Sequence, residues 1–308
     1  MPHAKKPLLP EETTMTDTTL APPISPIVFQ PGTSDAEIEA AAAQAARKRR
    51  LTVFFWRYFI LIVFLGGWEL LSRTKVIDEF FFSKPSTIVA RLWEWTTEGT
   101  SEGPLWFHLW VTMEESLLGF FTGSVAGIVA GIALGRNRML SDVFSIYIKV
   151  INSVPRVVLA PIFIMIFGLG LTSKVALSFV MVFFVVFSNA FQGVREADRN
   201  LLANAQILGA KDWQLTRAVV IPSAMSWIFA SLHVSFGFAI VGAIVGEFVG
   251  ARHGIGLLIN IAKGSFDAAG MYGAIVIIMV VALAAEYIMT LIENRLAKWR
   301  PAPLHETN

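Results

Sequence analysis

The sequence predicts an all-α integral membrane protein with about six transmembrane helices and a helical loop on the cytoplasmic side, and three observations predict it. Hydrophobic residues make up 55% of the chain and charged ones 16%, giving a mean hydropathy of +0.60, well above that of a water-soluble domain. The apolar residues gather into runs of about 20 or more with few charges, the length a helix needs to cross roughly 30 Å of hydrocarbon. The Lys and Arg residues collect in alternate loops, as the positive-inside rule requires of a multi-pass chain.

The elements follow in order. Residues 1–50 hold Pro, Thr, Ala and balanced charge with no apolar run, the composition of a largely disordered cytoplasmic tail. Within it, Ser34-Asp35-Ala36-Glu37 reads as a capping box for an Ala-rich helix ending at Arg47-Lys48-Arg49-Arg50. That segment is either an amphipathic helix along the inner leaflet or a flexible basic tail. No cleavable signal peptide is visible, since Arg57 and Glu69 bracket a long first span and further spans follow.

The transmembrane domain occupies residues 51–300 and a short cytoplasmic tail residues 301–308. Spans are expected near 53–72, 107–134, 143–168, 172–192, 224–248 and 272–292. Arg47 to Arg50, then Arg136 and Arg138, then Arg195, Arg199, Lys211 and Arg217, then Arg295, Lys298 and Arg300 all fall on one side, which places both termini in the cytoplasm. The other side holds Arg73, Lys75, Lys84 and Arg91 over a long loop, with Lys174, Arg252 and Lys263 in later ones. Aromatics in the first of these, Phe80 to Phe82, Trp93 and Trp95, suit the outer headgroup layer.

Span two carries Gly119, Gly123, Gly127, Gly131 and Gly135, one every fourth residue. On a helix they form a smooth ridge along which another backbone can approach, the device that replaces hydrophobic drive between helices in lipid. The ridge serves static packing or sliding between states. Span three contains Pro155 and Pro161, so it is expected to be kinked or broken near its middle. Asn152 and Arg156 lie beside that break. A charge within a span is a candidate pathway residue, the alternatives being snorkelling or pairing with a neighbouring helix. Span five ends with Glu247 and a Gly-rich turn, His253-Gly254-Ile255-Gly256-Leu257, and Glu247 either braces the bundle or faces an external vestibule. The turn has the letters of a nucleotide motif but follows a membrane helix rather than a strand, so no cofactor is read from it. His253 reads as a solvated loop residue.

Between spans four and five lies a polar loop: Ala203-Asn204-Ala205, then Gly209-Ala210, then Val219-Val220-Ile221-Pro222, with Lys211, Asp212, Gln214 and Arg217 between. Gly209 can turn the chain and Pro222 can open the next helix, the makings of a short hook.

This loop resembles the "EAA" loop of permease subunits of bacterial ABC importers, written E-A-A, three residues, G, nine residues, I-x-L-P. Gly209 and Pro222 stand at the family's separation, while Ala203 and Asn204 replace Glu and Ala, Val219 replaces Ile and Ile221 replaces Leu. The segment from Val154-Pro155-Arg156 to Phe167-Gly168-Leu169-Gly170 resembles the Pro-rich third span of the nitrate, sulfonate and taurine permeases of that family. Lys84-Pro85-Ser86 in the first loop and Glu247 before the Gly-rich turn are similar to it too, so the likeness runs from about residue 65 to 295.

The resemblance implies a type I importer permease of the bacterial inner membrane, with Ala203, Ala205, Gly209, Ala210 and Pro222 in a coupling loop docked on a cytoplasmic ATPase. It further implies an ATPase dimer carrying ATP and Mg, no cofactor in this chain, a second permease that is another copy in a homodimer or a close homologue, and a periplasmic or lipid-anchored solute-binding protein. The solute it implies is small and anionic, of the sulfonate, taurine or nitrate kind.

Other classes find less support. No phosphate-cradling G-x-x-x-x-G-K-[ST], zinc-binding H-E-x-x-H or G-x-S-x-G elbow is present, and zero cysteines leave no thiol chemistry, so neither a catalytic residue nor a metal site is expected. The basic residues suit an anionic membrane surface rather than nucleic acid. A rival reading uses Glu69, Glu114, Glu115, Glu247 and Glu286 as the relay of an ion- or proton-coupled secondary transporter or channel.

Overall fold

Because lipid leaves no backbone polar group unsatisfied cheaply, apolar runs of this length fold as helices. The computed structural model describes residues 35–197 and 199–296, and among them helices carry the whole architecture apart from turns and one isolated bridge between Thr100 and Gly103. In order these are α1 (Asp35–Arg73), α2 (Glu79–Phe82), α3 (Pro85–Thr97), α4 (Leu105–Arg136), α5 (Arg138–Asn152), a 3₁₀ turn (Arg156–Leu159), α6 (Ala160–Phe167), α7 (Leu171–Arg195), α8 (Arg199–Ile207), α9 (Asp212–Leu215), a π turn (Thr216–Val220), α10 (Ile221–Val249), α11 (Ile255–Gly264) and α12 (Ala268–Leu296). Five helical stretches are long and apolar enough to cross a membrane, and the bent pair of α5 and α6 makes a sixth.

Two compact units divide at Leu61 and Ile62, within α1. In the first, the Ala-rich stretch from Asp35 and the apolar run after Arg50 form one unbroken helix. Its aromatics contact one another at helical spacing, Phe54 with Tyr58 at 4.4 Å and Phe55 with Phe59 at 5.9 Å. Ser34 of the expected capping box and residues 301–308 lie outside the described residues.

In the second unit, α7 stands between α4 and α10. Each glycine of the α4 ridge faces α7: a Cβ added at Gly123 would lie 2.8 Å from the Phe179 carbonyl, at Gly127 3.0 Å from that of Phe183, at Gly131 2.7 Å from Ala190 Cβ and at Gly135 2.9 Å from Val194 Cβ, while at Gly119 it would strike Ser178. The ridge therefore packs within the chain, backbone against backbone. On the other flank, Gly242 of α10 also meets Ser178, whose Oγ donates to the Ala239 carbonyl at 2.9 Å. Phe120, Val182, Val186, Phe236, Ala239 and Ile240 fill the centre.

The third span is broken, as its prolines predict. Helices α5 and α6 meet at 78° across residues 153–155. Pro155 stands at the break, while Pro161 lies in the first turn of α6, directly after the 3₁₀ turn, and the helix runs on through it to Phe167. Near the opposite end, the Glu69 carboxylate accepts from the Ser86 amide (3.0 Å) and hydroxyl (2.9 Å), capping α3, and pairs with Arg73 at 2.7 Å. That contact explains an acid at the end of the first span.

Candidate functional site

The polar loop folds as the expected hook. Helix α8 ends at Ile207 and the chain turns at Gly209, whose φ of +83° is in the left-handed region that a side chain rarely adopts. Around it the Gly209 amide donates to the Gln206 carbonyl (2.9 Å) and the Ala210 amide to the Ala205 carbonyl (3.0 Å), the paired bonds of a Schellman ending. Space is not the constraint, since a Cβ there would meet nothing within 4 Å. Helix α9 then starts at Asp212, capped by Lys211, whose amide donates to Gln214 Oε1 at 2.8 Å. The hook is anchored by buried Leu215 and Val220, the latter packed with Ala190, Val194, Ala224 and Ile228. The hook displays Ile207, Leu208 and Trp213, which are 82%, 86% and 65% exposed. Ala203 is exposed, and Ala205 and Ala210 are half-buried.

Pro222 stands in the first turn of α10, but the helix reaches it already formed: residues Asp212–Val249 run on as one 38-residue stretch. Pro222 has no N–H for the Ala218 carbonyl, and its ring crowds that carbonyl. The chain responds with the π turn, in which the Ile221 amide reaches back five residues to the Thr216 carbonyl.

At the break in the third span, Arg156 Nη2 donates to Asn152 Oδ1 (2.6 Å), and Asn152 Nδ2 donates to Ser188 Oγ (3.0 Å) on α7. The guanidinium lies over the Phe184 ring, 5.4 Å from its centroid, and its Nε is buried without a partner. Irregular backbone at membrane depth is tolerated only against protein or a watery cavity, so this corner is where a polar path fits. The structure thus brings Asn152 and Arg156 together and adds Phe184 and Ser188, which the sequence did not single out.

Glu247 lies elsewhere, fully buried at the end of the bundle away from the hook. Its carboxylate accepts from Thr112 Oγ1 (2.7 Å) and from the Gly256 amide (2.7 Å), the Ile255 amide donates to Thr112 Oγ1 (2.9 Å), and the Gly254 amide donates to His108 Nδ1 (3.0 Å). A side chain at Gly256 would come 2.7 Å from Glu247 Cβ, so the glycine admits the backbone to the carboxylate. Glu247 is therefore a brace that fixes the start of α11. Glu115 touches it by a carboxyl–carboxyl hydrogen bond. Lys174, placed by the sequence reading in an external loop, is instead fully buried in the first turn of α7. Nothing in the linear sequence joins it to Thr112 or His108.

With this geometry in place, the family described as "Binding-protein-dependent transport system inner membrane component" matches residues 123–298, which take in four of the five ridge glycines, the broken span, the hook, and Glu247 with the turn that follows it. The chain belongs to this family. It is an ABC importer permease, a multi-pass inner-membrane transport subunit that works with an ATPase and a binding protein. The permease is 35% identical over 257 residues to the riboflavin transport system permease protein RibX of Chloroflexus aurantiacus, covering 82% of this chain and 94% of that one. It is 28% identical over 264 residues to the putative aliphatic sulfonates transport permease protein SsuC of Bacillus subtilis, covering 85% and 93%. A chain of the MetNI methionine ABC transporter, solved in inward-facing conformations, shares the fold at a TM-score of 0.53 and 20% identity, over 62% of this permease and 95% of that chain. The described residues hold no cluster of side chains suited to a metal.

Proposed function

We propose that the hook is the coupling element of this permease and docks in a groove of a cytoplasmic ATPase that carries ATP and Mg. The observation behind this reading is the exposure of the apolar Ile207, Leu208 and Trp213 on a loop anchored by Leu215 and Val220. Apolar side chains held out of a cytoplasmic loop call for a protein partner. Both termini and the hook face the cytoplasm, and two copies of the permease, with membrane lipid around them, enclose the pathway beside the α5–α6 break. A periplasmic or lipid-anchored protein delivers the solute.

Two solute classes are proposed. An anion of the sulfonate, taurine or nitrate kind suits Arg156 and Asn152 and agrees with the likeness to SsuC. A flat heterocycle is favoured by the higher identity to RibX and by the Phe184 ring under Arg156. The test is uptake of labelled taurine and riboflavin by cells carrying the permease, its ATPase and its binding protein. Gly209→Asp should keep normal membrane abundance while uptake falls at least tenfold and the ATPase no longer copurifies in stoichiometric amount. Normal uptake and copurification at normal abundance would remove the hook from coupling.

A further inference from the structure

Helix α5 carries a polar stripe that the rest of the described chain leaves largely open. Asp142, Ser145, Lys149 and Asn152 recur at steps of three, four and three, so they share one side of the helix. Of these only Ser145 is half-buried. Met139, Val143, Ile146, Tyr147 and Val150 occupy the other side and are exposed. Two members of the stripe are tied to α7, Asn152 to Ser188 at 3.0 Å and Asp142 to Arg195 at 3.8 Å. At one end Asn152 joins it to Arg156 and the break in the span. At the other it opens into a cavity of about 470 Å³ beside the hook, walled by Arg136, Ser141, Asp142, Arg195 and Asp212.

Lys149 is the member without a partner. The Ser145 hydroxyl donates to the Asp142 carbonyl and Asp142 balances Arg195, whereas the Lys149 ammonium has no ion pair or hydrogen bond among the described residues. It stands about 16 Å along α5 from Arg138, too far for its stem to carry the charge back to that end. A charge so placed in a span is stable only against water or an opposite charge. The stripe therefore faces water or a partner, and the apolar side of α5 faces lipid. A second copy closing over the stripe would have to bring an acid to Lys149; water meets no such condition. No acid stands between Lys149 and Arg156 in the sequence, while the cavity at the far end sets two arginines against two aspartates. Attraction for an anion is thus concentrated at Arg156 and Lys149 and falls away beyond them, the arrangement that lets a bound ion enter and then leave.

We propose that the polar stripe of α5 lines the inner part of the solute path and that Lys149 is the second residue to bind the travelling solute, a small anion handed on from Arg156 toward the cavity beside the hook. The proposal rests on the solute passing the α5–α6 break. It commits the path to an anion, since an uncharged heterocycle gains nothing from a second cation in line with the first.

The chain has no cysteine, so a single cysteine introduced into it reports one position. The full-length permease, assembled with its ATPase and binding protein in lipid nanodiscs, is treated with an anionic methanethiosulfonate, the ethylsulfonate, and with its cationic trimethylammonium counterpart. Modification is read from the mass of this chain. Lys149→Cys should react at least tenfold faster than Ile146→Cys or Val150→Cys on the apolar side. With Ser145→Cys, about one turn from Lys149, the ratio of anionic to cationic rates should fall at least fivefold when Lys149→Gln is added and recover with Lys149→Arg. In cells, Lys149→Gln should raise the KM for taurine uptake at least threefold at normal membrane abundance. Equal labelling at 146, 149 and 150, or a ratio unmoved by Lys149→Gln, overturns the proposal, and an inert cysteine at 149 would put a second copy over the stripe instead. If Arg156→Ala impairs uptake and Lys149→Gln does not, the break keeps the path and Lys149 is removed from it; if neither does, the path at the break falls as well.

Discussion

Replacing one glycine of the α4 ridge by alanine is a sharp test of the packing. At Gly131 the new Cβ would lie 2.7 Å from Ala190 Cβ and 2.8 Å from the Phe187 carbonyl, where ordinary contact begins near 3.4 Å. The two helices must part by about 0.7 Å, or the seam must rotate. Overpacking of this size costs about 1–3 kcal/mol, and the better helix propensity of alanine returns about 0.5–1 kcal/mol. A net loss of about 1–2 kcal/mol in a domain of this size lowers the thermal midpoint by about 2–8 °C. Gly237 of α10 supplies the control, because a Cβ there meets nothing within 4 Å, so Gly237→Ala should be neutral or slightly stabilising. The assay is heat-induced loss of the monodisperse peak in detergent. Ala190→Gly in the Gly131→Ala background removes the nearest of three close contacts, the others being the Phe187 carbonyl and the Phe191 amide, and should recover part of the loss. If Gly131→Ala and Gly237→Ala melt together, α4 and α7 are not in backbone contact and the reasoning fails.

Further predictions concern the other sites. Arg156→Ala should raise the KM for uptake of an anionic solute with ATPase binding intact; unchanged kinetics would assign the residue to structure alone. Thr112→Val, which keeps the side chain's shape but removes the donor to Glu247 and the acceptor for Ile255, should cost about 1–3 kcal/mol and loosen the turn before α11, read as faster hydrogen exchange at residues 254–256. Pro222→Ala restores the missing amide; the π turn is expected to tighten, with slowed exchange across residues 216–222 and weaker coupling of hydrolysis to uptake. Retention of fast exchange there would mean that something other than the proline sets the turn.

What the sequence made legible was local. A glycine every fourth residue encodes a smooth helix face, Pro155 removes a donor in the middle of a span, and Gly209 marks a left-handed residue at a helix end; each rests on covalent geometry that needs no partner to be read. The broken span and the six-helix architecture followed from these and from hydropathy. The brace did not, because it joins His108, Thr112, Glu247 and the backbone of residues 254–256, and Thr112 and Glu247 alone stand 135 positions apart. Lys174 was misplaced for a related reason: a single lysine near the start of an apolar run looks like a loop charge until the helix is seen to begin at Leu171. The π turn was equally hidden, since Pro222 announces an interrupted bond but not whether the chain ends a helix or widens one.

The unbroken helical stretch from Asp212 to Val249 has a mechanical consequence. Its 38 residues, at about 1.5 Å each, make a rod roughly 57 Å long, with Trp213 near one tip and Glu247 near the other. Nothing along it resembles a joint except the widened turn beneath Pro222, only a few residues above the hook. On the docking proposed above, a push delivered at Trp213 would run lengthwise toward Glu247, which holds the start of α11. The two surfaces of the membrane are connected by one stiff strut, and compliance is left to the corner at Pro155.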